Sequence, residues 1–273
     1  MESAVTVLRS IAFQIAFYLA TTLYLLAFLP LLPLLPRRTL WRLGVLSWVR
    51  TNVFLLRVLV GTRAEFRGVE NIPDGPLLIA AKHQSAWETF ALLPLFADPA
   101  FILKRELMHI PVFGWFAAKA RMIPVDRKGG SSAMRAMTRR AIADIGEGRQ
   151  ILIFPEGTRR PAGAAPDYKF GVAHLYSSLG APCLPIALNS GLYWPRRSLR
   201  RRAGTILVEI LPPIPPGLGR AAFMARLSGD IETASDRLLE EGLASLGDDA
   251  PPELRGRAAA PVRSPLSTPV ENS

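Results

Sequence analysis

The sequence predicts an α/β domain: a largely parallel or mixed sheet flanked by helices, behind an N-terminal membrane-embedded helical segment. Three observations carry this. Ser10 to Pro36 contains no charged side chain and exceeds the roughly 20 residues that cross a bilayer. From about residue 62, short apolar runs alternate with helical patterns, the order that lays helices on a sheet. The length of 273 residues is enough to bury a sizeable core around that sheet.

Composition narrows the class. Gly 21 and Pro 24 in 273 residues fall well below the low-complexity range. Cys183 is the single cysteine, which excludes an internal disulfide and a thiolate metal cluster. His83, His109 and His174 are widely separated, so no metal site is expected. Mean hydropathy is +0.22 and the net charge is +11. An apolar and basic chain suits an anionic membrane surface or a phospholipid; nucleic acid asks for the charge but not the apolar surface.

The elements follow in order. Residues 1–60 read as hydrophobic, membrane-anchoring helices. Pro30, Pro33 and Pro36 spoil the end of the first run as a straight helix. Two arrangements remain open: a single spanning anchor, or a helix that enters one leaflet and returns through Leu43 to Val60. Arg37, Arg38, Arg42, Arg50, Arg57, Arg63 and Arg67 follow the first run and only Arg9 precedes it. That asymmetry predicts a cytoplasmic membrane location with the later residues facing the cytoplasm.

Residues 61–246 form the expected α/β domain. Strands are predicted at 76–81 (PLLIAA), 101–103, 122–125, 151–154 (ILIF), 184–188 and 206–211. Helices are predicted at 86–96, 112–120, 134–145, 169–179 and 221–246. Residues 247–273, rich in Pro, Ala, Ser and charge, read as a disordered tail.

Two segments carry chemistry. Lys82-His83-Gln84-Ser85-Ala86-Trp87-Glu88 follows a strand and opens a helix. His83 can serve as a general base near neutral pH. Five residues along a continuous helix is about 500°, so His83 and Glu88 meet only if His83 sits in the turn before the helix. Ser85 and Glu88 also fit a capping box, which leaves Glu88 either role. Phe154-Pro155-Glu156-Gly157-Thr158-Arg159 follows the next long apolar strand. A Glu and an Arg three apart in a Gly-containing turn suit a polar, anionic ligand, because guanidinium grips phosphate bidentately.

Together these segments resemble the glycerolipid acyltransferases, specifically the bacterial 1-acyl-sn-glycerol-3-phosphate acyltransferases. Four motifs stand in family order across about residues 75–212. They are His83 to Glu88; Lys104-Arg105-Glu106-Leu107 through Pro111, Gly114 and Ile123 to Arg127; Phe154 to Arg159; and Leu184 to Asn189. Glu88 stands where the family usually has Asp, and Ala120 where it usually has Gly.

The resemblance implies that His83 takes the proton of the sn-2 hydroxyl of lysophosphatidic acid while Glu88 holds the imidazole. The hydroxyl then attacks an acyl thioester carried by acyl carrier protein or coenzyme A, with no cofactor. Lys104, Arg127, Glu156, Gly157, Thr158 and Arg159 would bind phosphate and glycerol. The sequence holds no G-x-S-x-G elbow, and Cys183 lies inside an apolar run. The same motifs would serve other acceptors, such as a lyso-ornithine lipid, another lysophospholipid or glycerol 3-phosphate. A non-catalytic lipid-binding protein is the alternative from another class, and the intact His83, Glu88, Glu156 and Arg159 argue against it.

Arg196 to Arg202 holds five arginines in seven positions. It reads as a contact for anionic headgroups, a dock for an acidic donor or a solvated loop.

Overall fold

The computed structural model describes residues 4–126 and 129–257. Its centre is a seven-stranded mixed sheet in the order β1-β7-β6-β2-β5-β3-β4. The strands are β1 (Thr62–Arg67), β2 (Leu77–Ala81), β3 (Pro99–Lys104), β4 (Ile123–Val125), β5 (Gln150–Ile153), β6 (Cys183–Leu188) and β7 (Gly204–Ile210). Every pairing is parallel except β6 with β7.

β2 is apolar throughout because helices cover both of its faces. Its side chains alternate between two cores. Leu77, Ile79 and Ala81 join Trp87, Phe90, Leu192 and Trp194, while Leu78 and Ala80 join Val172, Tyr176, Phe223 and Leu227. β1 was not anticipated. It is an edge strand with Arg63, Glu65 and Arg67 interleaved, so it lacks the apolar run that marks a buried strand.

The helices are α1 (Ala4–Phe28), α2 (Arg37–Leu40), α3 (Leu46–Leu55), α4 (Glu88–Ala91), α5 (Phe113–Lys119), α6 (Gly130–Gly146), α7 (Gly171–Leu179), α8 (Ser190–Tyr193) and α9 (Arg220–Leu246). Through π-helical turns, α2 and α3 belong to one continuous helix, Arg37–Val60. The helix expected over 86–96 is only α4, followed by a 3₁₀ turn at Leu93–Leu95. Pro94 has no N–H to continue the α-helical ladder. The expected disordered tail is corrected over its first part: Gly247–Asp249 and Pro252–Arg257 are short 3₁₀ helices, with Ala250 buried. Residues 258–273 lie outside the described residues.

Both α1 and the Arg37–Val60 helix are long and apolar enough to cross a membrane. They also dock on the domain. Phe13 is fully buried edge-on to Trp194, at 5.3 Å between ring centroids. Phe17 meets Trp48, Phe90 and Trp194. The backbone N–H of Arg201 donates to Ser10 Oγ at 2.9 Å, and the Arg201 guanidinium lies 4.2 Å from the Trp194 ring. The 196–202 cluster is therefore not one free basic surface: Arg201 and Arg202 are 4% and 8% exposed. Their charge is spent on bracing the loop against α1 and α8, with Arg202 Nη1 donating to Leu192 O at 2.8 Å.

The opposite edge of the sheet rests on a buried ion network. Arg149, at the head of β5, lies 3.0 Å from Asp144 and 3.3 Å from Asp98, and donates to the carbonyls of Ala120 and Arg121. Arg37 reaches the same Asp98, which ties the helical hairpin to the sheet. Removing one partner of a buried ion pair leaves a charge uncompensated and costs about 3–5 kcal/mol. Arg149→Ala is expected to lose that much, seen as an earlier thermal unfolding transition, with Arg149→Lys recovering part. A variant that melts with the parent chain would show that Asp144 and Asp98 have other means of compensation.

Candidate active site

In parallel pairing, β2, β5 and β6 end at the same edge of the sheet. Their following turns carry Lys82-His83, Phe154 and Asn189-Ser190. Rigid strand ends hold these side chains in place.

His83 sits in the turn before α4, as the spacing required. Its Nδ1 lies 2.9 Å from Glu88 Oε1. With Nδ1 engaged, Nε2 is the nitrogen left for a substrate proton. The ring stacks on Phe154 at 4.0 Å and 17°.

Glu88 has no exposed surface. Oε1 also accepts the backbone N–H groups of Gln84 and Ser85, at 2.7 and 2.6 Å. Oε2 accepts the hydroxyls of Ser85 and Ser190. Ser85 Oγ in turn accepts the Trp87 N–H at 2.9 Å. The two roles read for Glu88 are thus simultaneous: it closes a capping-box-like turn and it holds the imidazole. Burial alone would raise its pKa, but His83 and the Ser85 donors outweigh burial and hold the carboxyl below its ordinary value.

The third motif braces the same turn. Arg160, the residue after that motif, donates its N–H to His83 O at 2.8 Å. Gly157 adopts φ +66°, which a side chain would strain. Glu156 does not face outward as expected of a glycerol ligand. It is fully buried, with Oε1 3.2 Å from Lys82 Nζ. Burial, its largest influence, raises the Glu156 pKa against the pull of Lys82. Lys82 in turn lies 2.6 Å from Glu232 of α9, which also accepts the Tyr168 hydroxyl at 2.7 Å.

Arg159 and Thr158 reach the surface beside this turn. Among the described residues the Arg159 guanidinium has no hydrogen-bond partner, while its carbonyl accepts from Arg196. Lys104, at the end of β3, is half exposed and pairs with Glu106 at 3.1 Å; no contact joins it to the dyad. Arg127 lies outside the described residues.

Sequence reading missed Lys82, Phe154, Ser190 and Glu232 as partners of the site. Lys82 gave one signal: a charged residue between an apolar strand and a histidine needs a buried counter-charge. Glu232 and Ser190 gave none, since only the folded chain brings them close.

The site is a buried carboxylate–imidazole pair whose Nε2, like the guanidinium of Arg159, has no partner among the described residues, on an α/β sheet. Residues 63–189 match the family described as Acyltransferase. The chain is 39% identical over 215 residues to the 1-acyl-sn-glycerol-3-phosphate acyltransferase of Pseudomonas aeruginosa, covering 77% of this chain and 82% of that one. It is 28% identical to the human 1-acyl-sn-glycerol-3-phosphate acyltransferase alpha, over 61% of this chain and 60% of that one. The fold matches the 1-acyl-sn-glycerophosphate (LPA) acyltransferase, PlsC, of Thermotoga maritima with a TM-score of 0.70. That match has 24% identity and covers 85% of this chain and 96% of that one. The chain belongs to the acyltransferase family, among the 1-acyl-sn-glycerol-3-phosphate acyltransferases.

Glu88→Gln places an amide where donors converge and is expected to cost about 10²–10⁴-fold in kcat. Glu88→Asp keeps the charge and is expected to cost less; equal rates for Gln and the parent would leave Glu88 only its capping role. The carboxyl also titrates with folding. Its folded pKa is lowered, so its stabilisation is present above the unfolded value of about 4.3 and is lost as pH falls through the folded value. Denaturant titration at pH 5 and pH 3 should show that Glu88→Gln lacks this part of the acid-side slope.

Proposed function

We propose that the protein transfers an acyl chain from a thioester, acyl-acyl carrier protein or acyl-coenzyme A, to the sn-2 hydroxyl of 1-acyl-sn-glycerol 3-phosphate, giving phosphatidic acid. The observation that carries this reading is the His83 imidazole, fixed through Nδ1 by Glu88 and open at Nε2.

The chemistry follows from that geometry. Nε2 takes the hydroxyl proton as the oxygen bonds to the thioester carbon. The tetrahedral intermediate collapses, the C–S bond breaks, and the imidazolium returns the proton to the departing thiolate. Glu88 stays ionised throughout and stabilises the imidazolium. The substrate is the nucleophile, so no serine or cysteine is needed; Cys183 is buried in β6 and its thiol is pushed up by burial. Arg159 is the phosphate ligand of this reading, a planar fork with no partner among the described residues.

The acceptor lives in a membrane, and the helical hairpin holds the domain there. A full crossing by α1 fits poorly with its docking at Ser10, Phe13 and Phe17. From Tyr18 to Phe28, at about 1.5 Å per residue, the free part reaches roughly 17 Å, against about 30 Å of hydrocarbon. Leu8, Ile11, Ile15, Leu19, Leu23 and Leu26 instead form one exposed apolar stripe along the whole helix. This supports a hairpin lying in one leaflet. The excess of arginine after residue 36 favours the cytoplasmic leaflet, with the catalytic domain on the cytoplasmic side.

The test is acyl transfer by the full chain on vesicles containing lysophosphatidic acid, offered each donor in turn. Phosphatidic acid is the expected product. His83→Ala is expected to lose about 10²–10⁴-fold while remaining folded. Near-parental turnover by that variant would overturn the mechanism. Arg159→Ala should raise the requirement for lysophosphatidic acid, and Arg159→Lys should rescue it poorly. A phosphate-free acceptor should lose little; equal loss on every acceptor would remove Arg159 from the phosphate site.

A further inference from the structure

Glu88 has a partner that the four motifs do not contain. Ser190 follows the fourth motif, 102 positions beyond Glu88, at the start of α8. It is fully buried, and its hydroxyl donates to Glu88 Oε2 at 2.7 Å. The approach is built rather than incidental. Next to Ser190, Gly191 N–H donates to Gln84 Oε1 at 2.9 Å, and a Cβ on Gly191 would meet Gln84 Cβ at 3.0 Å and Ala162 N at 3.2 Å. The first and fourth turns are thereby locked together at the dyad.

A carboxylate has two oxygens, and each needs donors when buried. Oε1 is served from within the His83–Glu88 turn itself. Oε2 has one donor from that turn, Ser85, whose hydroxyl also accepts from Trp87, and one from outside it, Ser190. A donor on Oε2 from a separate strand end sets the rotation of the carboxylate plane, and with it the direction in which Oε1 meets His83 Nδ1. The extra methylene of Glu over Asp adds a torsion that the local turn alone leaves less constrained.

The geometry points to Ser190 as a positioning residue for the acyl-transfer reaction, acting through Glu88 on His83 without touching substrate. The inference rests on the acyltransferase reading above. Ser190 holds the carboxylate oriented and ionised, and so keeps the imidazole in the tautomer that exposes Nε2.

The test uses the full chain on vesicles with lysophosphatidic acid and the preferred donor. Ser190→Ala removes one buried donor and little volume. Its kcat is expected to fall about tenfold, within the range of a lost hydrogen bond to a charged group, with KM for both substrates unchanged. Ser190→Cys, a weaker donor, should fall between. The unchanged KM beside the reduced kcat is what separates a positioning role from a loss of substrate binding. In the Glu88→Gln background, Ser190→Ala should cost less than twofold further, because its route to His83 is already broken.

A parental kcat for Ser190→Ala would overturn the inference. So would the same tenfold loss in the Glu88→Gln background. His83→Ala in the same assay separates the two readings. Loss there with a parental rate for Ser190→Ala sinks this inference alone, whereas activity in His83→Ala sinks both.

Discussion

A carboxylate with no exposed surface, Glu88, organises the edge of the sheet on which His83 sits. An ionised Glu88 in a dry interior is costly unless its lone pairs are filled. The chain fills them from two strand ends: His83, Gln84 and Ser85 after β2, and Ser190 after β6. That requirement explains why β2 and β6 must be neighbours in register, with Ala81 opposite Ile186. It also explains why the turn after β2 is short and irregular rather than one more turn of helix.

A second buried charge, Lys82, solves the same problem on the other side of His83. Its ammonium bridges Glu156 from the third motif and Glu232 from α9. The EGTR turn is thus anchored from beneath by Glu156, while Arg159 and Thr158 are left at the surface. Such buried ionic clusters contribute little net stability against apolar replacements. What this one supplies is placement: it fixes the height of the β5 turn relative to the imidazole, and Phe154 then closes on the ring.

Much of this was legible in the sequence, and the part that was not has a physical reason. β2, β5 and β6 announce themselves because a strand covered on both faces is apolar at every position. β1 does not, since an edge strand carries charge on its open side. The His83–Glu88 meeting could be deduced from spacing, being local. Ser190 and Glu232 act across 102 and 150 positions, and nothing in an isolated serine or glutamate shows such a partner. The arginine cluster misled in the opposite way. Five arginines in seven positions read as a headgroup contact, a dock for an acidic donor or a solvated loop, yet Arg201 and Arg202 spend their charge on backbone carbonyls and an indole face.

The same two turns that hold His83 and Glu88 also grip the N-terminal apolar helices. Phe90 lies two positions after Glu88, and Trp194 four after Ser190; between them they receive Phe13 and Phe17 of α1. The hairpin is therefore not a tether joined by a flexible linker, whose orientation would be free. Leu56 and Val60 are buried where the hairpin runs into β1, so its second helix enters the sheet without a slack segment. A domain held this way has one height and one tilt relative to its apolar stripe. For a substrate whose hydroxyl lies at the headgroup level and whose chain lies in the leaflet, that fixed pose substitutes for part of the orientation that catalysis requires.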